Sequence, residues 1–161
     1  LRNEVFYNQD GIIVRRTCPS DADRLVLRDS DVQEIWASDH LTPKEALKLS
    51  LAKSILALTV EDQGEPIAMF GINPESILGN RAVVWLLASD GLDRIKRRFA
   101  RHSRQFVQMM LEYYPFLFNY VDARNQKSIE WLKFCGAKIE DAKPYGAESL
   151  PFHFFSFKRG Q

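Results

Sequence analysis

Phe118-Asn119-Tyr120-Val121-Asp122-Ala123-Arg124-Asn125-Gln126-Lys127-Ser128-Ile129-Glu130-Trp131-Leu132-Lys133-Phe134-Cys135-Gly136-Ala137 is the stretch from which the architecture follows. Its first part belongs to an alternation, Phe116, Phe118 and Tyr120 against Leu117, Asn119 and Val121. That alternation predicts a strand over Phe116–Asp122. The second part gathers Ile129, Trp131, Leu132 and Phe134 into a short helix over Gln126–Cys135, with Gly136 as its C-terminal stop. A strand feeding a short, glycine-closed helix is an α/β signature rather than an all-helical or all-β one.

Working upstream, Pro115 ends a long helix over roughly Leu92–Tyr113, capped by Asp90 or Ser89. Its residues Leu92, Ile95, Phe99, Phe106 and Met110 recur at helical spacing. Before it, Ala82–Ala88 is a continuous apolar run, the mark of a strand buried on both faces. Asn73–Asn80 reads as a loop. Ile55–Glu61 and Pro66–Ile72 form a hairpin about Asp62-Gln63-Gly64, with Pro66 at the start of its strand, where no ladder donor is needed. Thr42-Pro43-Lys44-Glu45 opens a helix to about Lys53, with Thr42 as cap, Pro43 in the first turn and a buried side of Ala46, Leu47, Leu49 and Leu51. A less regular helix, capped by Ser20, covers Asp21–Ala37 with a break near Asp29–Asp31. Ile12-Ile13-Val14 is a short strand after the turn Asp10-Gly11. Downstream of the opening stretch, Ala137–Glu140 and Phe152–Lys158 are the last strands, and the aromatics Phe152, Phe154, Phe155 and Phe157 belong to the core. Trp36, Trp85 and Trp131 fall on apolar faces as core anchors. The order predicts an α/β fold with a mixed, mostly antiparallel central sheet and helices on both faces.

The chain has 161 residues, 45% hydrophobic and 27% charged, ordinary globular proportions with room for one domain. No repeat or linker divides it. Residues 1–10 are expected as an N-terminal extension and 11–161 as a single domain. No apolar run reaches the roughly 18–20 residues of a membrane span. Leu1–Asp10 lacks the apolar centre of a signal peptide, which argues against secretion by that route. The net charge of +1 creates no global field for nucleic acid or membrane. Cys18 and Cys135 read as reduced thiols. His40, His102 and His153 are scattered without metal-ligand spacing, so no metal site is assigned. Nor does spacing around His102 suggest a catalytic triad.

The element order and the 118–137 run resemble the GNAT superfamily of acetyl-CoA-dependent acyltransferases, over most of Gly11–Lys158. The resemblance implies a CoA site, a Gly-rich turn at the N-terminus of the long helix whose backbone cradles the pyrophosphate. The corresponding stretch, Ala88-Ser89-Asp90-Gly91-Leu92-Asp93, has one glycine and two aspartates. A helix capped by its own carboxylates is expected there instead of a diphosphate cradle. The family's tyrosine acid falls four residues before Gly136, where this chain has Leu132. The strand Ala82–Ala88 offers no Glu as general base; Glu61, Glu65 and Asp122 lie near strand ends and could serve, but carboxylates there are usually just solvated. No catalytic or cofactor-binding residue is therefore assigned. A narrower resemblance, over Val84–Gly136, is to the GNAT-like internal virion protein A family of short-tailed bacteriophages. It rests on the Trp85 strand, Ser89-Asp90, the basic helix, Tyr114–Val121 and Asn125–Ala137. It implies a virion-associated or morphogenesis protein, in the virion or the host cytoplasm, binding other virion or assembly proteins. The alternative is an acetyl-CoA-dependent N-acyltransferase with a divergent site.

Arg94, Arg97, Arg98, Arg101 and Arg104 lie opposite the apolar stripe of the long helix and form the candidate partner-binding face. A run of charge also suits an ordinary solvated face. Its functional readings are an acidic protein partner, CoA phosphates or a nucleic-acid backbone. No stacking aromatics interleave with these arginines, which disfavours single-stranded nucleic acid.

Overall fold

The molecule is described by a computed structural model over residues 4–161. Its strands are β1 (Val5–Gln9), β2 (Ile12–Arg16), β3 (Leu56–Asp62), β4 (Glu65–Pro74), β5 (Arg81–Ala88), β6 (Phe116–Asp122), β7 (Lys138–Ile139), β8 (Lys143–Tyr145) and β9 (Leu150–Lys158). The helices are α1 (Asp21–Arg24), α2 (Asp29–Asp39), α3 (Pro43–Lys53), α4 (Gly91–Tyr113) and α5 (Gln126–Phe134). One sheet runs β1-β2-β3-β4-β5-β6-β9-β7, with β8 added against β9. Every pairing is antiparallel except β5 with β6, whose crossover is α4. The mixed, mostly antiparallel sheet is thus as expected from the sequence.

Two apolar cores lie on opposite faces of this sheet. Ile95, Phe99, Phe106, Val107, Met110 and Leu111 of α4 pack with Ile129 and Leu132 of α5 against Val14, Leu58, Val60 and Leu117. Side chains such as Leu58, with no exposed surface, each contribute roughly 1.5–3 kcal/mol. On the other face, Ala22, Ile35, Ala46 and Leu47 of α1–α3 cover Met69, Trp85 and Leu87.

Local signals explain most boundaries. Thr42 Oγ1 accepts the Glu45 amide at 3.3 Å, and Pro43 opens α3. Gln63 and Gly64 turn the β3–β4 hairpin at φ of 51° and 84°, a left-handed pair that glycine adopts without penalty. Phe152, Phe155 and Phe157 are buried and Phe154 half-buried, as a core strand requires.

Several expectations are corrected. Val5–Gln9 pairs with β2, so half of the stretch expected as an extension over 1–10 enters the sheet; residues 1–3 lie outside the described residues. Ser20 makes no side-chain cap. Instead Asp21 accepts the Cys18 amide at 2.7 Å and a two-pronged contact from Arg15 at 2.8 and 2.9 Å. The irregular helix is two helices, and between them Arg28 donates its amide to the Ala88 carbonyl at 2.9 Å. Trp36 is 51% exposed and lies tilted against His40 at 4.7 Å between ring centres, because α2 turns Ile35 inward. Leu49 is also exposed, since α3 buries Ala46 and Leu47.

Candidate functional site

β5 and β6 pair only at Arg81–Phe116, Ala82–Leu117 and Val83–Phe118. Beyond Val83 the strands part, and Asn119 Nδ2 bridges the gap to the Val84 carbonyl at 2.7 Å. A cleft of about 610 Å3 opens there. Its walls include Val84, Leu86, Phe118 and Tyr120 from the strands and Leu132 from α5. Parallel strands that separate at their C-terminal ends are where open α/β sheets bind ligands.

The end of the cleft toward α4 is occupied by the chain itself. Asp31, 2% exposed, accepts the Ala88 amide at 2.8 Å and sits 3.2 Å from Arg28 Nε. Arg28 reaches on to Asp93 at 3.1 Å, and Lys127 approaches the other Asp93 oxygen at 3.4 Å. Ser89 donates its amide to the Ile67 carbonyl at 2.8 Å, and its Oγ accepts the Gly91 amide at 3.1 Å. The Leu92 and Asp93 amides bond back to Ser89 and Asp90 carbonyls at 3.2 and 3.1 Å. The amides of Ala88, Ser89, Gly91, Leu92 and Asp93 therefore all have acceptors within the chain. A diphosphate cradle needs such donors free. Gly91 is required by packing: a Cβ there would lie 2.6 Å from Ile67 Cγ2. The turn does not fit a diphosphate. The expected carboxylate self-cap is also corrected, because Asp90 makes no side-chain cap and Asp93 faces Arg28 and Lys127.

Glu34, one turn after Asp31 on α2, accepts the Asp122 amide at 2.6 Å and ties α2 to the end of β6. Burial pushes its carboxyl up to about 8. The Asp122 amide pulls the other way, while the Asp31 and Asp122 charges add to the rise. Burial also lifts Asp31, against the pull of Arg28 and the Ala88 amide. Burial works against ionisation of Asp122 too, but Arg124 overcomes it through its side chain and amide and holds that carboxyl low.

Of the carboxylates read from sequence, Glu61 is held by Arg15 at 2.6 Å, Glu65 is exposed beside Arg24 and Asp122 is chelated by Arg124. Arg28, Asp31 and Glu34 went unrecognised. Their signal was a spacing of three on the face of α2 that also carries Ile35, a charged row where an apolar one is normal. Leu132 is buried on the cleft wall, apolar at the position where the family resemblance places an acid. Cys135 is buried, which pushes its thiol up to about 12 although Arg104 opposes this.

Arg94, Arg97, Arg98, Arg101 and Arg104 are all exposed along α4. Arg104 differs from the rest: its Nε donates to the Phe134 carbonyl at 2.7 Å and its guanidinium lies 4.6 Å from the Phe134 ring. No ion pair among the described residues involves the other four.

Residues 65–142 match the model of the family described as "Bacteriophage T7, probable scaffold protein Gp13". That span holds β4, the cleft strands, α4 and α5. No curated protein matches the chain. Among solved structures, an acetyltransferase of the GNAT family from Bacillus anthracis is similar over 96% of this chain and 98% of that one, at 9% identity and a TM-score of 0.69. Spermidine N-acetyltransferase from Vibrio cholerae, solved with CoA and spermine, is similar over 94% and 97%, at 14% identity and a TM-score of 0.65. Ribosomal-protein-S5-alanine acetyltransferase from Vibrio fischeri is similar over 96% and 97%, at 15% identity and a TM-score of 0.64. The chain thus has the GNAT fold, and its stretch from β4 past α5 is similar to a phage scaffold-protein family.

Proposed function

We propose that this chain is a phage assembly or virion-associated protein that works by binding other phage proteins, with acyl transfer given up. The observation that carries this is the β5–α4 turn. Five amides that an acyl-CoA donor would need are bonded within the chain, and Asp93 stands among them. Similarity to a phage scaffold family points the same way. Arg94, Arg97, Arg98 and Arg101 offer the contact surface, a charged row on a rigid helix suited to an acidic protein. The place of action is the virion or the infected cell's cytoplasm. No described helix is long and apolar enough to cross a membrane.

The test is capture of the phage's own structural proteins by the tagged chain, against Arg97→Glu, Arg98→Glu and Arg101→Glu combined. Capture should be lost while the melting temperature stays within about a degree or two, since exposed charges away from ion pairs contribute little to stability. Undiminished capture removes α4 as the contact surface. Capture of nucleic acid alone, falling steeply with salt, would replace the protein partner by a phosphate backbone.

A second reading keeps N-acyl transfer and is favoured by two observations. Glu34 holds a carboxyl near 8 in the cleft, a value suited to a general base. Asn125, the cap of α5, has a buried Nδ2 without a partner among the described residues. Turnover of amines with acetyl-CoA, lost in Glu34→Gln, would establish it.

A further inference from the structure

The rings of the described residues that meet a cation all meet an arginine. Arg81 lies 5.0 and 4.5 Å from the Phe116 and Phe118 rings while its Nε faces Glu75 at 3.3 Å. Arg16 lies 5.8 Å from the Phe6 ring with its Nε on Glu4 at 2.6 Å. In both, one guanidinium shares a ring and a carboxylate. Its planar fork suits that combination better than the point charge of a lysine does.

The cleft between β5 and β6 offers the same two ingredients. Tyr120 and Tyr145 stack at 3.8 Å with 10° between their planes, and both line the cleft. Glu34 and Asp39 of α2 line it with them. Asp39 accepts the Ser38 hydroxyl at 2.7 Å. After burial, its charge is the next cause raising the Tyr145 phenol, which sets this carboxylate beside the ring pair. Glu34 accepts the amide of Asp122, two residues past Tyr120, at 2.6 Å. Neither Glu34 nor Asp39 has an ion pair among the described residues. The third acid of the lining, Glu75, is already paired with Arg81. The one basic residue of the lining is Lys53, exposed in the last turn of α3 and so not on the α2 wall.

We propose that this cleft seats an arginine side chain of another protein, its guanidinium meeting the Tyr120–Tyr145 pair and the Glu34 and Asp39 carboxylates. Val84 and Leu86 in the lining suit the methylene stem. At about 610 Å3 the cleft falls in the roughly 300–1,000 Å3 range of sites that enclose whole small ligands. The side chain therefore enters with room for the backbone that carries it. This inference rests on the reading of the chain as one that binds other proteins, and adds a contact distinct from α4. The α4 face is basic and this one acidic and aromatic, so the two recognise opposite charges.

Arginine entry also acts on Glu34. Burial first of all, then the charges of Asp31 from α2 and Asp122 from β6, hold its carboxyl near 8, while Arg28 opposes them and Arg124 lies within reach of its charge. A guanidinium beside Glu34 favours the ionised form. Binding therefore expels a proton, and it tightens as pH rises toward about 8.

NMR titration of the full chain tests this with a capped glycyl-arginyl-glycine peptide and its citrulline and lysine counterparts. The arginine peptide should give saturable shifts centred on Glu34, Asp39, Tyr120 and Tyr145. The uncharged citrulline peptide should give none, and the lysine peptide should bind several-fold more weakly. Asp39→Asn, at an exposed position, and Glu34→Gln, which keeps an acceptor for the Asp122 amide, should each weaken binding roughly tenfold, the worth of one charge-assisted hydrogen bond. Glu34→Gln should also remove the pH dependence. Arg97→Glu, Arg98→Glu and Arg101→Glu combined should bind the peptide as the parent chain does, so this contact and the α4 contact fail separately. The proposal is overturned by the absence of saturable shifts up to about 10 mM arginine peptide. Citrulline or lysine binding as tightly as arginine overturns it too, as does unchanged binding in both cleft variants. In sedimentation velocity the chain alone should be monomeric. Self-association lost in Asp39→Asn would make this chain's own arginines the occupants and overturn a different protein as their source.

Discussion

The two ends of β5 contrast. At its C-terminal end, the amides of Ala88, Ser89, Gly91, Leu92 and Asp93 all have acceptors within the chain, and α2 with its preceding residue supplies Asp31 to the Ala88 amide and Arg28 to Asp93. Along its middle, where β5 leaves β6, the backbone opens into a cleft bridged by Asn119. The topology that creates both places is common to the GNAT fold. What differs is which side chains reach them. A fold can therefore keep the opening that strand divergence imposes while the amides of its anion cradle are taken up by backbone carbonyls, a serine hydroxyl and one carboxylate.

The largest expected effect comes from emptying the filled end. Asp31→Ala leaves Arg28 buried beside an unpaired Ala88 amide, which should cost about 3–5 kcal/mol, the range for breaking a buried ion pair. Denaturant unfolding measures it; a loss below about 1 kcal/mol would mean that Arg28 readily finds Asp93 or water instead.

The next effect lies in the cleft and depends on pH. The folded Glu34 carboxyl, near 8, binds its proton more tightly than in the unfolded chain. Stability linked to this group is present at acid pH and lost as pH rises through about 8. Glu34→Gln keeps an acceptor for the Asp122 amide without the charge. It should melt higher than the parent chain at pH 9, by a margin that closes as pH falls, each pKa unit being worth about 1.4 kcal/mol. A margin independent of pH would break the contrast, because Glu34 would then ionise as freely as a solvated carboxylate.

The smallest expected effect is that of acetyl-CoA. A ligand at about a hundred times its Kd adds about 2.7 kcal/mol to stability. With the turn amides already bonded, millimolar acetyl-CoA should leave the melting temperature where it was. A clear rise would show that the acceptors within the chain yield these amides to a diphosphate.

Legibility in the sequence followed the range of the interactions. β6, α5 and the α3 cap were readable because alternation, helical spacing and a threonine–proline start act within a few residues. A break between α1 and α2 was readable too but was placed late, because the clustered aspartates Asp29 and Asp31 form the first turn of α2 and the break falls at residues 25–28. β1 was missed because Val5–Gln9 is mostly exposed and becomes a strand only through pairing with β2. Trp36 was misplaced because rotation of α2 is decided by what lies beneath it. Ile77 and Leu78 were read as loop, correctly, but the alphabet of a loop does not tell whether its apolar residues fold back.

By itself the sequence determined the order of elements, the apolar faces that force helices onto the sheet, the loss of the glycine-rich turn and the leucine at 132. Each is a matter of local periodicity or of one side chain's chemistry. Only the tertiary structure decided that α2 delivers Asp31 and Glu34 to the strand ends. It alone decided that Gly91 serves packing against Ile67. Those outcomes depend on distances between residues far apart in the chain, which the closing of the sheet sets and no local pattern encodes.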